Sequence, residues 1–454
     1  MATTPSVKAL TGISVDVLNA IRNNATQNYK DYVPVATADA AVIKEIGAII
    51  MDYPALRNEF IDTLMNRIAY VYINSKTYDN PWAVFKKGIM EFGESIEEIF
   101  VELAKPFQFD MDTAETNLFK KQLPDVRTAF HVLNYKKFYK ITVSNEEIRR
   151  AFLSIDGVTD LVSRIVERVY TSANYDEYLV MKYMVAKHIS NGMLYPVEID
   201  TVSSANMKSI VSTIKAASNN LTFMSDKYNL AHVHTTSTKD EQYLLINSRF
   251  DAQMDVEVLA TAFNMDKSEF MGHRILFDGF ASMDTDRLNE LFENDETYTE
   301  LSTETLTALD AIPVILLDKS WFMIYDNLLQ MEDVRNGEGL YYNYFYHTWK
   351  TFSVSPFANN SVFIPAEPAV TGITVSPSAL TLSAGDTAYI TATVTTTNFA
   401  PKTVTWSTES DIATVDSRGM VTISDDAEVG DTIEIVCTSV YDNTVTATAT
   451  ITVA

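Results

Sequence analysis

Hydrophobic residues along this chain recur at three different spacings, and each spacing marks a different stretch. In the clearest, Leu161, Val162, Ile165, Val166, Val169, Ala173, Met181, Met184, Val185 and Ile189 fall mostly three and four residues apart. On a helix that spacing draws one apolar stripe, so a helix is predicted over 159–190. Thr159 or Asp160 can cap its start, and Asn191-Gly192 ends it. A helix of about thirty residues spans roughly 45 Å, which is long for a compact domain and suits a spine.

Upstream, residues 1–60 are polar with breaks at Pro34 and Pro54, and Val15–Ile21 and Ala40–Ile50 are candidate short helices of an N-terminal arm. From 69 to 143 the pattern turns β-prone. Ser95-Ile-Glu-Glu-Ile-Phe-Val-Glu-Leu103 and the return through Ala129–Val132 and Phe138–Val143 flank a charged excursion, Asp110–Lys121. Two such arms predict a long hairpin. Its arms are too poor in apolar residues for a core hairpin, so it is expected to pack on a neighbouring subunit.

Residues 200–330 alternate helical and strand-like pieces. Helices are predicted at Ala205–Ala217 and Asp255–Phe263, and strands at Tyr243–Asn247, His273–Asp278 and Pro313–Leu317, with an acidic, helix-favouring insertion at Asp284–Ala308. Trp321–Asn327 and Gly339–Phe363 return to strand character, the latter through an aromatic run from Tyr341 to Trp349 in which one buried face explains the alternation.

At Pro365-Ala-Glu-Pro368 the chain changes character, and the remaining 86 residues are dominated by Thr, Val, Ala and Ser. Short β-branched runs (Gly372–Val375, Tyr389–Thr395, Thr403–Trp406, Thr432–Val440, Thr444–Val453) separated by turn signals predict an antiparallel sandwich. The whole reads as an α+β chain with an all-β module at 369–454, whose core candidates are Tyr389, Trp406, Val421 and Cys437.

Composition narrows the function. The chain has 454 residues, 46% of them hydrophobic, enough for a sizeable core, and a formal charge of −25. A surface this acidic repels a phosphate backbone and lacks cationic clusters to grip one, so sequence-specific nucleic-acid binding is not expected. Enclosing nucleic acid without gripping it is compatible with the charge. The single cysteine, Cys437, rules out internal disulfides and reads as a buried, inert thiol. The N-terminus lacks a basic start followed by an apolar run, and no apolar stretch approaches eighteen residues, so neither a signal peptide nor a membrane span is expected.

Candidate chemistry is thin. No phosphate loop, HExxH, CxxC or nucleophile elbow occurs. His232-x-His234 lacks a third metal ligand, Glu97-Glu98 would point to opposite faces of a strand, and Asp411, Asp416, Asp425 and Asp426 lack the spacing of a calcium loop. No catalytic residue, cofactor site or metal site is therefore expected, and the chain reads as a non-enzyme.

Several segments form one ordered set: Tyr32-Val-Pro-Val-Ala-Thr-Ala38, Asn80-Pro81, Phe85-Lys-Lys-Gly88, Ile96-Glu-Glu-Ile99, Asp278-Gly-Phe-Ala-Ser282, Asp318-Lys-x-Trp-Phe-Met, Val334-Arg-Asn336, Phe345-Tyr-His-x-Trp349 and Phe357-Ala-Asn359. Spread in order over nearly the whole chain, they resemble the major capsid proteins of phi29-like small tailed phages. The resemblance implies a Hong Kong 97 type capsid fold over 1–366: N-terminal arm 1–60, extended E-loop 70–143, spine helix 159–190, axial A domain 205–330 and closing strands of the peripheral P domain 339–363. After the break, Val370–Pro377, Thr405-Trp406-Ser407 and Ile412–Val415 resemble a bacterial immunoglobulin-like group 2 domain over 369–454. The insertion Asp284–Ala308 departs from the family pattern, and no residues match the self-crosslinking chemistry of the fold's namesake.

The resemblance implies a shell protein. Hexamers and pentamers would close an icosahedral or prolate head around double-stranded DNA, with a scaffolding protein during assembly and a portal at one vertex. The virion, and the host cytoplasm before it, are the expected locations. Phe85, Lys86, Lys87, Gly88, Glu97 and Glu98 are the candidate intersubunit residues of the E-loop, with Lys86 and Lys87 expected to meet acids on a neighbour. The competing reading is a bacterial surface adhesin displaying an Ig-like domain.

Overall fold

Caps and apolar periodicity set the first helices. In the computed structural model, which describes residues 13–60, 63, 78–90, 95–107, 121, 123–153, 157–256 and 273–454, α1 spans Ile13–Asn24, α2 Gln27–Tyr32 and α3 Ala40–Asp52. Thr26 and Asp39 cap α2 and α3 by accepting backbone N–H groups of Tyr29 and Ala41. Asn19 exchanges two hydrogen bonds with the backbone of Ala36, and Arg22 donates to the carbonyls of Val33 and Lys30, folding this segment on itself. The predicted helices at Val15–Ile21 and Ala40–Ile50 lie within α1 and α3, whereas α2 carries no apolar periodicity long enough to announce it.

The chain divides into two units, Met1–Ile96, His131–Tyr178 and Ile324–Ser353 in one and Glu97–Phe130, Leu179–Met323 and Val354–Ala454 in the other. The first is built on a four-stranded sheet of order β1-β9-β10-β4, with β1 at Lys86–Ile89, β4 at Tyr135–Ser144, β9 at Phe322–Asn336 and β10 at Tyr341–Val354. β1 runs parallel to β9, and β10 pairs antiparallel with β4 from Tyr341↔Ser144 to Lys350↔Tyr135. Alternation along β10 buries Tyr342, Tyr344 and Tyr346 in one cluster with Ile21, Ile43, Ile46 and Ile50 of the N-terminal helices, Ile148 of α4 (Asn145–Ala151) and Tyr170 of α5 (Gly157–Ser190). The aromatic run thus has the one buried face its alternation predicts.

Helix α5 begins at Gly157, two residues before Thr159, and belongs to the first unit up to Tyr178 and to the second from Leu179. Its end agrees with the sequence. Gly192 takes φ +69°, its N–H donates to Ile189 O and that of Met193 to His188 O, a glycine-capped Schellman turn.

The second unit centres on a five-stranded sheet of order β5-β11-β8-β6-β7: Pro196–Glu198, Asn360–Ile364, Val314–Asp318, Gln242–Asn247 and His273–Phe277. β6, β8 and β11 are buried at every position, and α6 (Met207–Asn220) and α7 (Ser248–Met254) pack against them through Ile210, Ile214 and Phe250. The helix expected at Asp255–Phe263 lies beyond α7, all but its first two residues outside the described residues. The acidic insertion forms α8 (Thr285–Leu291) and α9 (Thr303–Asp310), each capped by an upstream Asp284 or Ser302.

Among the described residues of the hairpin, β2 (Ile96–Val101) and β3 (Val126–His131) pair with each other, and the return strand breaks and restarts as β4. Asn134 drives the break by donating to Phe352 O and accepting from Phe352 N–H, imitating a strand pair at the turn. Of the charged excursion 110–121, all but Lys121 lies outside the described residues.

The last segment folds into strands β12 to β20: Ala369–Ser376, Ala379–Leu382, Thr387–Tyr389, Thr391–Thr397, Val404–Ser407, Ala413–Val415, Met420–Ile423, Thr432–Ser439 and Thr446–Val453. Its core, from Ile390, Val421, Ile433, Ile435 and Ile451, draws on no residue outside the segment. Val421 and Cys437 are fully buried and Trp406 packs against the core. Tyr389 is a correction. It is 60% exposed because its neighbour Ile390 points inward, and adjacent residues on extended backbone face opposite ways.

Gly419 links turn to core in this segment. It takes φ +81°, and a Cβ there would stand 2.2 Å from Ile390 O and 3.1 Å from the Trp406 ring. Gly419→Ala is expected to destabilise residues 369–454 by about 2 kcal/mol or more. Guanidinium unfolding of that fragment, read by the fluorescence of Trp406, its sole tryptophan, checks it; an unchanged midpoint contradicts the strain argument.

Candidate assembly surface

Four charges are packed together in the first unit. Lys350 of β10 lies between Glu177 of α5 and Asp326 of β9, with its Nζ 2.7 Å from Asp326 Oδ1 and also bonded to Glu177. Lys86, the first residue of β1, reaches Asp326 at 2.7 Å and Glu177 at 3.1 Å from the other side. Asn80 donates to Glu177 at 2.7 Å and takes the Trp82 N–H on its carbonyl. Glu177, Asp326 and Lys350 are buried.

Electrostatics decide which protonation states this packing favours. Burial pushes the Glu177 and Asp326 carboxyls up, but the ammonium groups of Lys350 and Lys86 outweigh it and hold both below the usual carboxylate range. For Lys350 burial pulls down, and the two carboxylates overcome it, leaving the amine above its ordinary value. Glu177, Asp326 and Lys350 are charged at neutral pH, and Lys86 pairs with both carboxylates.

The cluster corrects two sequence expectations. Phe85 is buried within its own chain, and Lys86, its side chain 23% exposed, meets acids of its own chain where acids of a neighbour are expected. The short 3-10 turn Ala83–Phe85 buries Phe85 completely, and pairing of Lys86 with Ile324 carries its ammonium onto carboxylates of its own chain. Past a bulge, Lys87 and Gly88 are exposed, and Gly88 takes φ +122° with open space around its Cα. Glu97 and Glu98 separate by parity, Glu97 exposed and Glu98 turned inward to accept from Ser355 Oγ at 2.8 Å. Sequence reasoning misses Glu177, Asp326 and Lys350. The available signal is a carboxylate four residues after Ala173, at the helical spacing of the stripe.

The paired part of the hairpin has two unlike faces. Its inner face is pinned within the second unit: Glu98 by Ser355, Phe100 stacked on Phe357 at 5.6 Å, Glu102 by His234 Nδ1 at 2.7 Å, and Arg127 on Ala231 O. The slight burial of Glu102 is outweighed by N–H donors of Leu103 and His234 and by the imidazole, which hold its carboxyl below the usual range. The outer face is apolar and open. Ile99, Val101 and Leu103 are 58%, 59% and 55% exposed, joined by Val126 and Phe130 of β3, with Glu97 at one end. A contiguous apolar row on a pinned scaffold marks an interaction surface, since isolated soluble chains rarely leave one uncovered.

His232 and His234 do not converge as metal ligands. His232 sits at φ +50° and His234 is taken by Glu102. Asp416 caps its own turn through the N–H groups of Arg418 and Met420. Among the described residues no group of three or more His, Cys, Asp or Glu converges on a metal position, and no helix is long and apolar enough to cross a membrane.

With this geometry in place, comparison with known proteins is specific. The family model of Phi29-like phage major capsid proteins matches residues 18–364, and that of the bacterial Ig-like domain (group 2) matches 369–453. The chain is 37% identical over 431 residues to the major capsid protein of Bacillus phage PZA, covering 93% of this chain and 90% of that protein. It is 35% identical to the major capsid protein of Bacillus phage B103, over 92% and 89%. Among solved structures, a chain in "Structure of head fiber and inner core protein gp22 of native bacteriophage P68" superposes at a TM-score of 0.50 and 18% identity, covering 64% of this chain and 86% of that one.

Lys350→Met leaves two buried carboxylates facing one partly exposed lysine and is expected to cost about 3–5 kcal/mol. Lowered carboxyl pKa values contribute stability that is complete above the ordinary carboxylate range and lost as pH falls through the depressed values. The raised lysine contributes stability that is complete below its ordinary value and lost as pH rises through the raised one. Urea unfolding of wild type and variant should therefore differ by a constant amount from about pH 6 to 9 and converge in acid. A difference that persists undiminished to about pH 2 contradicts the assignment.

Proposed function

The chain belongs to the family of Phi29-like phage major capsid proteins, and from that premise we propose how its surfaces build a shell. The fold is of the Hong Kong 97 type with an all-β C-terminal segment, and the protein is a component of the phage head. Copies associate through pentamers and hexamers into an icosahedral or prolate head enclosing double-stranded DNA, which the chain surrounds without reading its sequence. A scaffolding protein directs assembly in the host cytoplasm and a portal occupies one vertex. The role is structural and not catalytic. The adhesin reading is not favoured, because a capsid-family match occupies the chain up to residue 364.

One observation carries this reading: the pinned hairpin with its open apolar row at Ile99, Val101 and Leu103. Burying such a row against another copy removes apolar area from water at roughly 25 cal/mol per Å², repeated at every contact in a closed lattice. Of the residues named from sequence, Glu97 is the E-loop candidate that lies on this face, and Lys87 and Gly88 are exposed at the hairpin's approach. Residues 1–366 are the shell-forming domain, and 369–454 a separate domain, supported by a core that draws on no outside residue.

Ile99→Asp with Val101→Asp should abolish shells seen by electron microscopy of protein co-expressed with its scaffolding protein, while circular dichroism stays that of wild type. Normal shells from this variant would remove the hairpin from assembly.

The Ig-like domain is placed on the outside of the shell, a reading supported by its charge, with Lys402 and Arg418 against ten acids. An inward position would set that charge beside packaged phosphates. A protein truncated after residue 366 should still form shells, and an antibody against 369–454 should decorate intact, DNA-filled particles. Labelling only after disruption would put the domain inside.

A further inference from the structure

The second unit holds a cleft of about 710 Å³ that shell formation does not use. Its volume lies within the range of small-molecule sites, about 300–1,000 Å³. Tyr195, just ahead of β5, Glu198 at the end of β5 and Asp226 in the loop after α6 line it. They do so together with Glu367, ahead of β12, and with Tyr441 and Asp442 of the turn between β19 and β20. These groups sense one another. Burial raises the Tyr441 phenol, Tyr195, Glu198 and Glu367 raise it further, and Lys227 lowers it.

The cleft is rich in carboxylates and poor in partners for them. Four carboxylates share it with one lysine, Lys227. The side chains of Glu198, Asp226 and Glu367 form no hydrogen bond or ion pair among the described residues, and Asp442 is held only by the N–H and hydroxyl of Thr444. Lys227 shows what these walls hold. Its Nζ lies 4.9 Å from the centroid of the Tyr195 ring, which stands edge-on to Tyr228 at 5.0 Å. One alkylammonium group is thus already seated on a tyrosine, and the acids remain in excess. His232 also lines the cleft, and its buried Nε2 has no hydrogen-bond partner among the described residues. With its proton on Nδ1, that ring offers an acceptor to an N–H donor.

The spread of the acids selects the ligand. Among the described residues no three carboxylates or imidazoles converge on a metal position, so one small ion does not gather them. Charges strung along a flexible chain do. We propose that this cleft binds a linear aliphatic polyamine, whose ammonium groups pair with Glu198, Asp226 and Glu367 and whose methylenes lie on the Tyr195 and Tyr441 rings. A counterion cloud meets acids anywhere on a chain of charge −25. The aromatic walls and the unpartnered imidazole belong to the cleft alone. The inference goes beyond the shell-forming reading and does not rest on it.

The test is calorimetric titration of spermidine into the full-length chain at about 0.1 M salt, where long-range attraction is largely screened. One equivalent should bind. Glu198→Gln with Glu367→Gln should weaken binding about tenfold or more. Glu293→Gln with Glu296→Gln removes the same charge from an exposed turn outside the cleft and should leave binding unchanged. A photoreactive spermidine conjugate supplies a second readout on the unaltered chain, which decides the matter even if the cleft variant fails to fold. Mass mapping should place its label on peptides carrying Tyr195 or Tyr441, and excess spermidine should suppress it.

Equal weakening in both variants, or label spread over the acidic surface, would reduce the binding to counterion attraction and overturn the site. Calcium binding at the same single site as tightly as spermidine would make it a metal site instead. An oligolysine peptide that binds where spermidine does not would assign the cleft to a basic protein segment. None of these outcomes alters shell formation, which electron microscopy reads separately.

Discussion

The first unit depends on the closure of its buried charge cluster. Lys350, Glu177, Asp326 and Lys86 come from three strands and a helix, and each is far apart in sequence from most of the others. Removing such groups from water is costly, and the cost is offset when all partners arrive together. A slip of β9 or β10 by one residue would turn Asp326 or Lys350 to the opposite face and strand the rest. The cluster thus fixes strand register across the sheet. The burial of Tyr342, Tyr344 and Tyr346 against the N-terminal helices inherits that register.

Much of this architecture is legible in the sequence, and the illegible parts share a cause. The long helix, its glycine stop, the buried strands of the central sheet and the change of character near residue 366 all follow from local periodicity or local turn chemistry. Repeated apolar spacing averages over many residues, so one exception does not obscure it. The charge cluster has no such redundancy. Glu177 and Lys350 meet across 173 positions, and nothing local distinguishes them from solvated charges. Lys86 reads as an intersubunit cation for the same reason: net charge says that cations need acidic partners, but not on which chain they lie. Tyr389 misleads by a simpler step, since aromaticity suggests burial while strand parity gives that position to Ile390.

Parity also hides which face of a strand is left open. Each strand shows its alternation in sequence, but which set turns outward depends on what covers the other side. For β2 that is Phe357 and His234, and for β10 it is the helical layer holding Tyr170 and Ile43. Once the inner face of β2 is covered, its aliphatic row is the one left outward.

The pinned inner face of the hairpin has a consequence for assembly kinetics. A loose arm must lose its conformational freedom at the moment two copies meet, which raises the free-energy cost of the first contacts and slows nucleation. Here Glu98, Phe100, Glu102 and Arg127 fix the strand pair while the chain folds, so the freedom is already gone before any encounter. If the hairpin mediates shell contacts as proposed, ordering of this strand pair would add no delay to association, and the onset of growth would follow the concentration of folded chains.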